Sequence, residues 1–222
     1  MKHNFRLVFY LLFTSGLILG CEREIEDPQM DPSIEYFPLL IGNYWVYEVD
    51  ELIHYGENDS EESFFYYRDK IRSVYVNDAK EQVFIVERRK SEDQENWTLL
   101  YEYTLLEREG SLIRTIQNQP LVILPAAIAE GTSWNGNLYR NAADDEFKVN
   151  FTQSNELKVD QENEDDQITF RDIRYEMFQK DVGMTELYSE VLTYCSRNDC
   201  LGDQLIDSGS KVHMKLVSHG SE

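Results

Sequence analysis

The chain has 222 residues and a formal net charge of −21, with 42 acidic against 21 basic side chains. This excess of acid excludes nucleic-acid binding, which needs basic surfaces that displace phosphate counterions, and it argues against docking on anionic lipid headgroups. The aromatic content of 13% favours a folded domain over a disordered chain, and the length is sufficient for a hydrophobic core.

The first twenty residues have the organisation of a secretory signal peptide. Lys2 and Arg6 are basic, and residues 7–19 form a mostly apolar run that is too short for a comfortable membrane span. The sequence Ile-Leu-Gly-Cys at positions 18–21 resembles the bacterial lipobox, in which the cysteine thiol is diacylated before cleavage. The predicted mature protein therefore begins at a lipidated Cys21. The alternative is a free thiol at the end of a signal peptide or an N-terminal anchor helix.

Lipidation at Cys21 would hold the protein on a membrane through its N-terminal acyl chains without a span. Each buried CH₂ contributes about 0.8 kcal/mol, so two or more chains are sufficient. Removal of residues 1–20 would take away two basic residues and no acidic one, which changes the formal charge from −21 to −23. The acyl chains, rather than surface charge, are therefore expected to provide the membrane association.

The remainder of the chain is predicted to form a short linker and one domain. Residues 21–34 are acidic and contain Pro28 and Pro32, which is typical of a flexible tether. Folded structure is expected to begin near Tyr36, and residues 35–222 show no internal repeat or change in composition that would indicate a second domain.

The dominant hydrophobic period in residues 35–222 is two, which predicts β-strands with one buried face. The clearest example is the alternation of large apolar and polar residues over 97–105. Strands are predicted over 45–55, 65–75, 82–88, 97–105, 112–116, 147–152, 173–177 and 212–216. We therefore expect an all-β domain with a single antiparallel sheet, curled into a barrel or half-barrel similar to lipocalins or lipoprotein carriers; a β-sandwich is the alternative.

Three segments are ambiguous. Residues 184–192 fit a helical period as well, but their β-branched and aromatic residues favour a strand. Residues 125–130 could form a single helical turn. Residues 155–166 are acidic and nearly free of apolar side chains, which predicts a loop or the tip of a hairpin.

Cys195 and Cys200 are the two cysteines that remain besides Cys21, and in an exported protein they predict one local disulfide. The alternative is a metal-binding pair. Zinc sites need four ligands, and the histidines of the chain supply no cluster that would complete one.

The sequence also offers a candidate calcium site, and a solvated hairpin tip is the preferred interpretation of the same residues. Calcium binds several hard oxygen ligands, and five carboxylates lie close together in this segment. The segment lacks the glycine and the terminal glutamate of an EF-hand loop. The candidate ligands are Asp160, Glu162, Glu164, Asp165 and Asp166.

Three stretches resemble a family of uncharacterised lipoproteins common in Bacteroidota. They are residues 36–39 (YFPL) followed by 42–47 (GNYWVY), residues 131–137 (GTSWNGN), and residues 181–184 (DVGM) leading to Gly209 and 215–217 (KLV). The resemblance covers nearly the whole predicted mature domain. It implies an all-β exported lipoprotein of unknown activity and transfers no catalytic residues. In such bacteria, acidic residues directly after the lipidated cysteine can direct the protein to the outer surface.

The residues of these motifs also have structural interpretations. Gly42 and Gly136 are predicted to lie in turns that need a positive φ. Trp45 and Trp134 are predicted to fill the core. The alternative is that Tyr44, Trp45 and Trp134 stack against a bound ligand.

No catalytic constellation is recognisable in the sequence. There is no G-x-S-x-G nucleophile motif, and carboxylates are so abundant that a pair could always be selected. We therefore expect a lipid-anchored, non-enzymatic binding or accessory protein of the outer membrane, on its periplasmic face or at the cell surface. Its expected partner is an envelope protein or a small ligand, and no cofactor is expected. The alternatives are a carrier of small apolar ligands with an aromatic-lined β-cavity and, with less support, an exported hydrolase that uses carboxylates.

Overall fold

The computed structural model describes residues 32–56 and 59–222. The predicted signal peptide, Cys21 and most of the predicted tether lie outside the described residues. In the described part of the chain, no helix is long and apolar enough to cross a membrane.

The protein is all-β, and its described residues form one antiparallel sheet of twelve strands that nearly closes into a barrel. The order of strands in the sheet is β6-β5-β4-β3-β2-β1-β12-β11-β10-β9-β8-β7, which leaves one unsealed seam between β6 and β7. The elements are α1 (Pro32–Glu35), β1 (Asn43–Gly56), β2 (Asp59–Val76), β3 (Gln82–Ser91), β4 (Thr98–Arg108), β5 (Ser111–Ile116), β6 (Gln119–Leu124), β7 (Ser133–Asn135), β8 (Glu146–Gln153), β9 (Glu156–Asp165), β10 (Phe170–Gln179), β11 (Gly183–Tyr194) and β12 (Ile206–Ser221).

The up-and-down order of the strands gives the barrel two distinct ends. Pairing of β1 with β12 brings Asn43 opposite Ser221, so the start of β1 and the end of the chain lie together. We call this the capped end; the turns that follow β2, β4, β6, β8 and β10 lie there. The turns that follow β1, β3, β5, β9 and β11 lie at the opposite end, which we call the far end.

Residues 32–42 cover the capped end. The Phe37 ring packs against Trp45, with ring centroids 4.9 Å apart, and lies 6.4 Å from the Phe178 ring. The Ser33 hydroxyl is buried and donates a hydrogen bond of 2.6 Å to the Gly110 carbonyl. The packed structure therefore includes the last residues of the predicted tether, since helix α1 begins at Pro32.

Side chains fill the interior of the barrel. A barrel of eight strands is already just wide enough to be filled by side chains, so a sheet of twelve strands needs large residues and a cover at its end. Interior positions alternate along each strand, as with Trp45, Tyr47 and Val49, all of them buried. Other large, fully buried side chains include Phe65, Ile71, Leu105, Leu112, Phe147, Leu157, Phe178 and Met214.

The seam is held by two hydrogen bonds. The Val122 amide donates to the Gly136 carbonyl at 2.9 Å, and the Trp134 indole Nε1–H donates to the Val122 carbonyl at 2.8 Å. Pro120 lies two residues before Val122 and so has the same backbone orientation, but it has no N–H to offer. This edge of β6 therefore presents few groups on which another strand could pair.

Replacing Trp134 with phenylalanine should destabilise the protein by about 1–3 kcal/mol, because the buried Val122 carbonyl loses its donor while most of the ring volume is kept. Urea-induced unfolding would measure the loss. The matched control is Trp97→Phe, whose indole makes an exposed hydrogen bond to the Gln94 carbonyl and should change stability little. Equal losses in the two variants would show that the seam bond has no special importance.

All eight predicted strands are present, and the strand interpretation of residues 184–192 is confirmed by β11. Strands β6, β7 and β9 were not predicted from the sequence. The prediction of a loop over 155–166 is wrong, because Glu156–Asp165 is strand β9, whose inward residues Leu157 and Val159 are fully buried. The helical turn considered for 125–130 does not form; these residues make bends and a turn.

Candidate functional site

The three aromatic residues considered for ligand stacking are engaged within the protein. Trp45 is 2% exposed, and its indole donates a hydrogen bond of 2.6 Å to the Val182 carbonyl. Trp134 is half-buried at the seam, in edge contact with Phe147. The Tyr44 ring is half-buried on the other face of β1 from Trp45, beneath the Arg68 guanidinium at 5.4 Å. Trp45 in particular leaves almost no ring surface for a bound molecule.

Contacts between the motifs explain why these residue types are needed. Gly183 has a φ of +115°, and a Cβ at this position would lie 2.8 Å from the Trp45 Nε1. The first and third motifs are thus in direct contact at the capped end. Gly42 has the predicted positive φ of +95°. For Gly136 the prediction is wrong: its φ is not positive, and the residue is glycine because a Cβ would lie 2.6 Å from the Phe147 ring.

Cys195 and Cys200 form a disulfide, which confirms the prediction made from their spacing. Their Cα atoms are 5.9 Å apart, and both residues are buried at the far end. The bond closes the connection between β11 and β12.

The five acidic residues considered for calcium are spread along strand β9 and the turn after it, and most have partners within the protein. Asp160 accepts hydrogen bonds from Asn150 and Lys158, and Asp165 accepts one from Arg171. Asp166 accepts three backbone N–H bonds, from residues 168–170, and one from the Thr169 hydroxyl, which lower its pKa. No group of three or more His, Cys, Asp or Glu side chains with metal-binding geometry occurs among the described residues.

A buried polar cluster lies inside the barrel, where the sequence analysis expected only core. Asp69 on β2 is 2% exposed and binds the Arg88 guanidinium in a bidentate pair with distances of 2.7 and 2.6 Å. The Tyr103 hydroxyl donates to the same carboxylate at 2.9 Å. The Arg88 guanidinium also lies over the Tyr67 ring at 4.7 Å, a cation–π contact. Asp69 and Arg88 therefore neutralise each other's charge and satisfy each other's hydrogen-bonding groups, and tyrosine side chains surround the pair.

A second buried ion pair joins strands that are not neighbours in the sheet. Arg114 on β5 donates to Glu176 on β10 at 2.5 and 3.2 Å, and Gln161 donates to the same carboxylate at 3.0 Å. Because β5 and β10 are well separated in the sheet order, this pair crosses the interior of the barrel. The Arg114 side chain is 14% exposed and that of Glu176 is 2% exposed.

The electrostatics of this interior cluster favour a structural role. Burial by itself lowers the pKa of the Arg88 guanidinium, but the adjacent Asp69 carboxylate raises it by more. The net pKa is well above its ordinary value, so Arg88 stays charged. Burial raises the pKa of the hydroxyls of Tyr47 and Tyr103, which therefore stay protonated. Asp69, Arg88 and Tyr103 are hydrogen-bonded to one another, and the Tyr47 hydroxyl donates to the Met184 carbonyl at 3.1 Å, so the polar groups are satisfied within the protein.

Sequence reasoning missed these four charged residues although a signal was present. Asp69 shares its parity with Phe65 and Ile71, and Arg114 shares its parity with Leu112 and Ile116. A charged residue on the apolar face of a strand predicts a buried charge that needs a partner. Which partner it finds across the barrel is not encoded in the local pattern.

A group of titratable and aromatic side chains lies on the outer surface of β10–β12. Tyr175 and Tyr188 stack with ring centroids 5.3 Å apart, and His213 meets Tyr188 edge-on at 5.4 Å. The Glu186 carboxylate accepts a hydrogen bond from the Tyr175 hydroxyl at 2.8 Å and lies 2.8 Å from His213 Nε2. Partial burial opposes ionisation of Glu186, but the bonds from His213 and Tyr175 lower its pKa overall.

Three surface cavities with apolar and charged walls lie outside the barrel core. One of about 740 Å³ lies at the capped end and is lined by residues including Ile34, Leu39, Phe84, Lys80 and Arg108. One of about 370 Å³ lies at the β3–β4 turn of the far end, and one of about 480 Å³ is lined by residues of β2–β5 and the β5–β6 turn. Tryptophan lines none of these three cavities.

No protein-family model matches the chain, and no curated protein matches it either.

Proposed function

We propose that the protein is a lipid-anchored outer-membrane lipoprotein that serves as a non-enzymatic binding or accessory module of the cell envelope. The observation that carries the proposal is the order of elements at the N-terminus: basic residues, an apolar run of signal-peptide length, a small residue and then Cys21. The acyl chains on Cys21 supply the membrane attachment, and the β-domain supplies the contact with an envelope protein or a small ligand.

The position of the described N-terminus supports this arrangement. Pro32 begins helix α1 at the capped end of the barrel, eleven residues after Cys21. An extended chain covers at most about 3.5 Å per residue, so the barrel would stand within roughly 40 Å of the membrane surface. A domain at this distance can reach partners in or next to the same membrane.

The interior of the barrel favours the binding or accessory role over the two alternatives. A carrier of apolar ligands needs an open aromatic cavity, whereas here large side chains and two ion pairs fill the interior. A hydrolase that uses a carboxylic acid needs a carboxyl group with a raised pKa in a cleft. Every carboxyl of the described residues whose pKa is shifted has a lowered pKa, as Glu81 does, at about 2.

Metabolic labelling with an alkyne fatty acid tests the anchor. The wild-type protein should incorporate the label and fractionate with membranes, and Cys21→Ala should lose both properties completely, because the acylated thiol is missing. The matched control is the double variant Cys195→Ser and Cys200→Ser, which removes the other cysteines and should keep the label. Persistent labelling of the Cys21→Ala variant, or an unlabelled wild-type protein, would refute the proposal.

A further inference from the structure

We propose that the capped end of the barrel contacts the bilayer that holds the acyl chains, with Leu40 and Ile41 at the surface of contact, and that the far end points away from it. This inference rests on the proposed lipid anchor at Cys21. It adds an orientation of the domain and a second, apolar contact between the protein and the membrane.

Chain connectivity places the capped end near the membrane. With an even number of strands in an up-and-down sheet, both termini of the described domain lie at one end, and α1 and the start of β1 are both at the capped end. The eleven residues from Cys21 to Pro32 cover at most about 40 Å. Strand β2 alone has 18 residues and would be about 60 Å long if straight. When the capped end is next to the membrane, the far end is therefore much farther from it.

The capped end exposes apolar side chains at the tip of the loop before β1. Leu40 is 64% exposed and Ile41 is 56% exposed, and Val76 at the end of β2 is 61% exposed. The loop is held by backbone hydrogen bonds from the Leu40 amide to the Pro38 carbonyl and from the Gly42 amide to the Ile71 carbonyl. The cavity of about 740 Å³ at the same end has apolar residues such as Ile34 beside the charged residues Lys80, Glu81, Glu107, Arg108 and Glu109, so the exposed apolar contact is confined to the loop tip and Val76. Exposed apolar groups that are held in place can enter the boundary between headgroups and acyl chains at low entropic cost.

The distribution of charge disfavours the opposite orientation. The far-end segments 59–62, 91–97, 165–169 and 195–207 carry eleven acidic residues and a single basic one, Arg197. The capped-end segments 32–42, 77–81, 109–110, 125–132, 154–155 and 180–182, together with residue 222, carry seven acidic and two basic residues. Lys180 there pairs with Glu35 at 2.7 Å, and Arg108 pairs with Glu81. Among the described residues, the net negative charge that opposes approach to a membrane is thus greater at the far end than at the capped end.

The acyl anchor makes a weak apolar contact effective. Two exposed aliphatic side chains bind a bilayer poorly when the protein is free in solution, but a tether of eleven residues confines the domain next to the surface. Contact then becomes an intramolecular event with a high effective concentration. The expected consequence is an oriented domain rather than one that rotates freely on its tether.

Hydrogen exchange of the full lipidated protein, reconstituted in vesicles of dioleoylphosphatidylcholine, tests the orientation. Amides of residues 39–43 should exchange roughly tenfold more slowly on vesicles than in the Cys21→Ala protein in solution, while those of residues 91–97 at the far end should not change. The double variant Leu40→Asp and Ile41→Asp should lose this protection and still float with the vesicles. The matched control, Leu99→Asp and Leu100→Asp, alters comparably exposed leucines at the far end and should keep the protection.

The possible failures are distinguishable. A wild-type protein that does not float with vesicles refutes the anchor, and the orientation is refuted with it. A protein that floats but shows no protection of residues 39–43, or that is protected at the far end instead, refutes the orientation alone. Unchanged circular dichroism and thermal midpoints of both double variants establish that they are folded.

Discussion

Replacing Asp69 with alanine should lower the free energy of unfolding by about 3–5 kcal/mol, one of the two largest effects expected in this protein. The side chain is 3% exposed and holds the Arg88 guanidinium through two short hydrogen bonds. Alanine would leave that guanidinium inside the barrel without a carboxylate, and an uncompensated buried charge costs far more than the pair contributes net. Urea-induced unfolding followed by circular dichroism would measure the loss.

Two further variants separate the charge from the hydrogen bond. Tyr103→Phe removes only the hydroxyl that donates to the Asp69 carboxylate and should cost about 1–2 kcal/mol. Asp50→Ala removes an exposed carboxylate from neighbouring strand β1 and should change stability by less than about 0.5 kcal/mol. If Asp69→Ala were no worse than Asp50→Ala, the interior ion pair would not stabilise the barrel as its geometry indicates.

Replacing Glu176 with alanine should also cost about 3–5 kcal/mol, because Arg114 would then be buried without its partner. This pair links β5 to β10 across the interior, so its loss should also loosen the contact between the two halves of the sheet. Hydrogen exchange would then be expected to accelerate in β5 and β6, next to the seam, more than in β1 and β12.

The double variant Arg114→Met and Glu176→Leu is the decisive comparison. Replacing both charges with apolar side chains of similar volume is often neutral or stabilising by about 1–4 kcal/mol, since the cost of desolvating both ions disappears. Glu102→Ala, which breaks the exposed pair with Arg72, is the matched control and should cost less than about 1 kcal/mol. A double variant as unstable as Glu176→Ala would mean that the charges themselves, not the uncompensated partner, determine stability.

Much of the fold was predictable from local pattern. Alternation of apolar and polar residues is imposed by the geometry of a strand, so β1, β2 and β4 could be recognised from Trp45, Phe65 and Tyr101 and their neighbours. The disulfide was predictable because Cys195 and Cys200 are close along the chain. Strand β9 was missed because its outward positions are nearly all charged and its inward ones include Gln161, so the local pattern resembled that of a solvated loop.

The candidate sites were less predictable, for a physical reason. Trp45, Trp134 and Gly136 were recognised as motif residues. Their roles depend on contacts with Val182, Val122 and Phe147, respectively, and none of these partners is close in sequence to the residue that it contacts. The same holds for Glu186 and His213, which share a hydrogen bond because β11 and β12 pair in one particular register.

Sequence alone was sufficient for two features that depend on neighbouring residues, the strand period and the local disulfide; the lipidated Cys21 stays a prediction. Tertiary structure decided the features that depend on closure of the sheet. These are the seam between β6 and β7, the ion pair of Arg114 with Glu176 across the interior, and the capped end that collects α1 and Leu40 on one side of the barrel. A hydrophobic period of two indicates which face of the sheet a residue occupies. The residue that it contacts across the interior is set by strand order and register, and these arise only when the whole chain has folded.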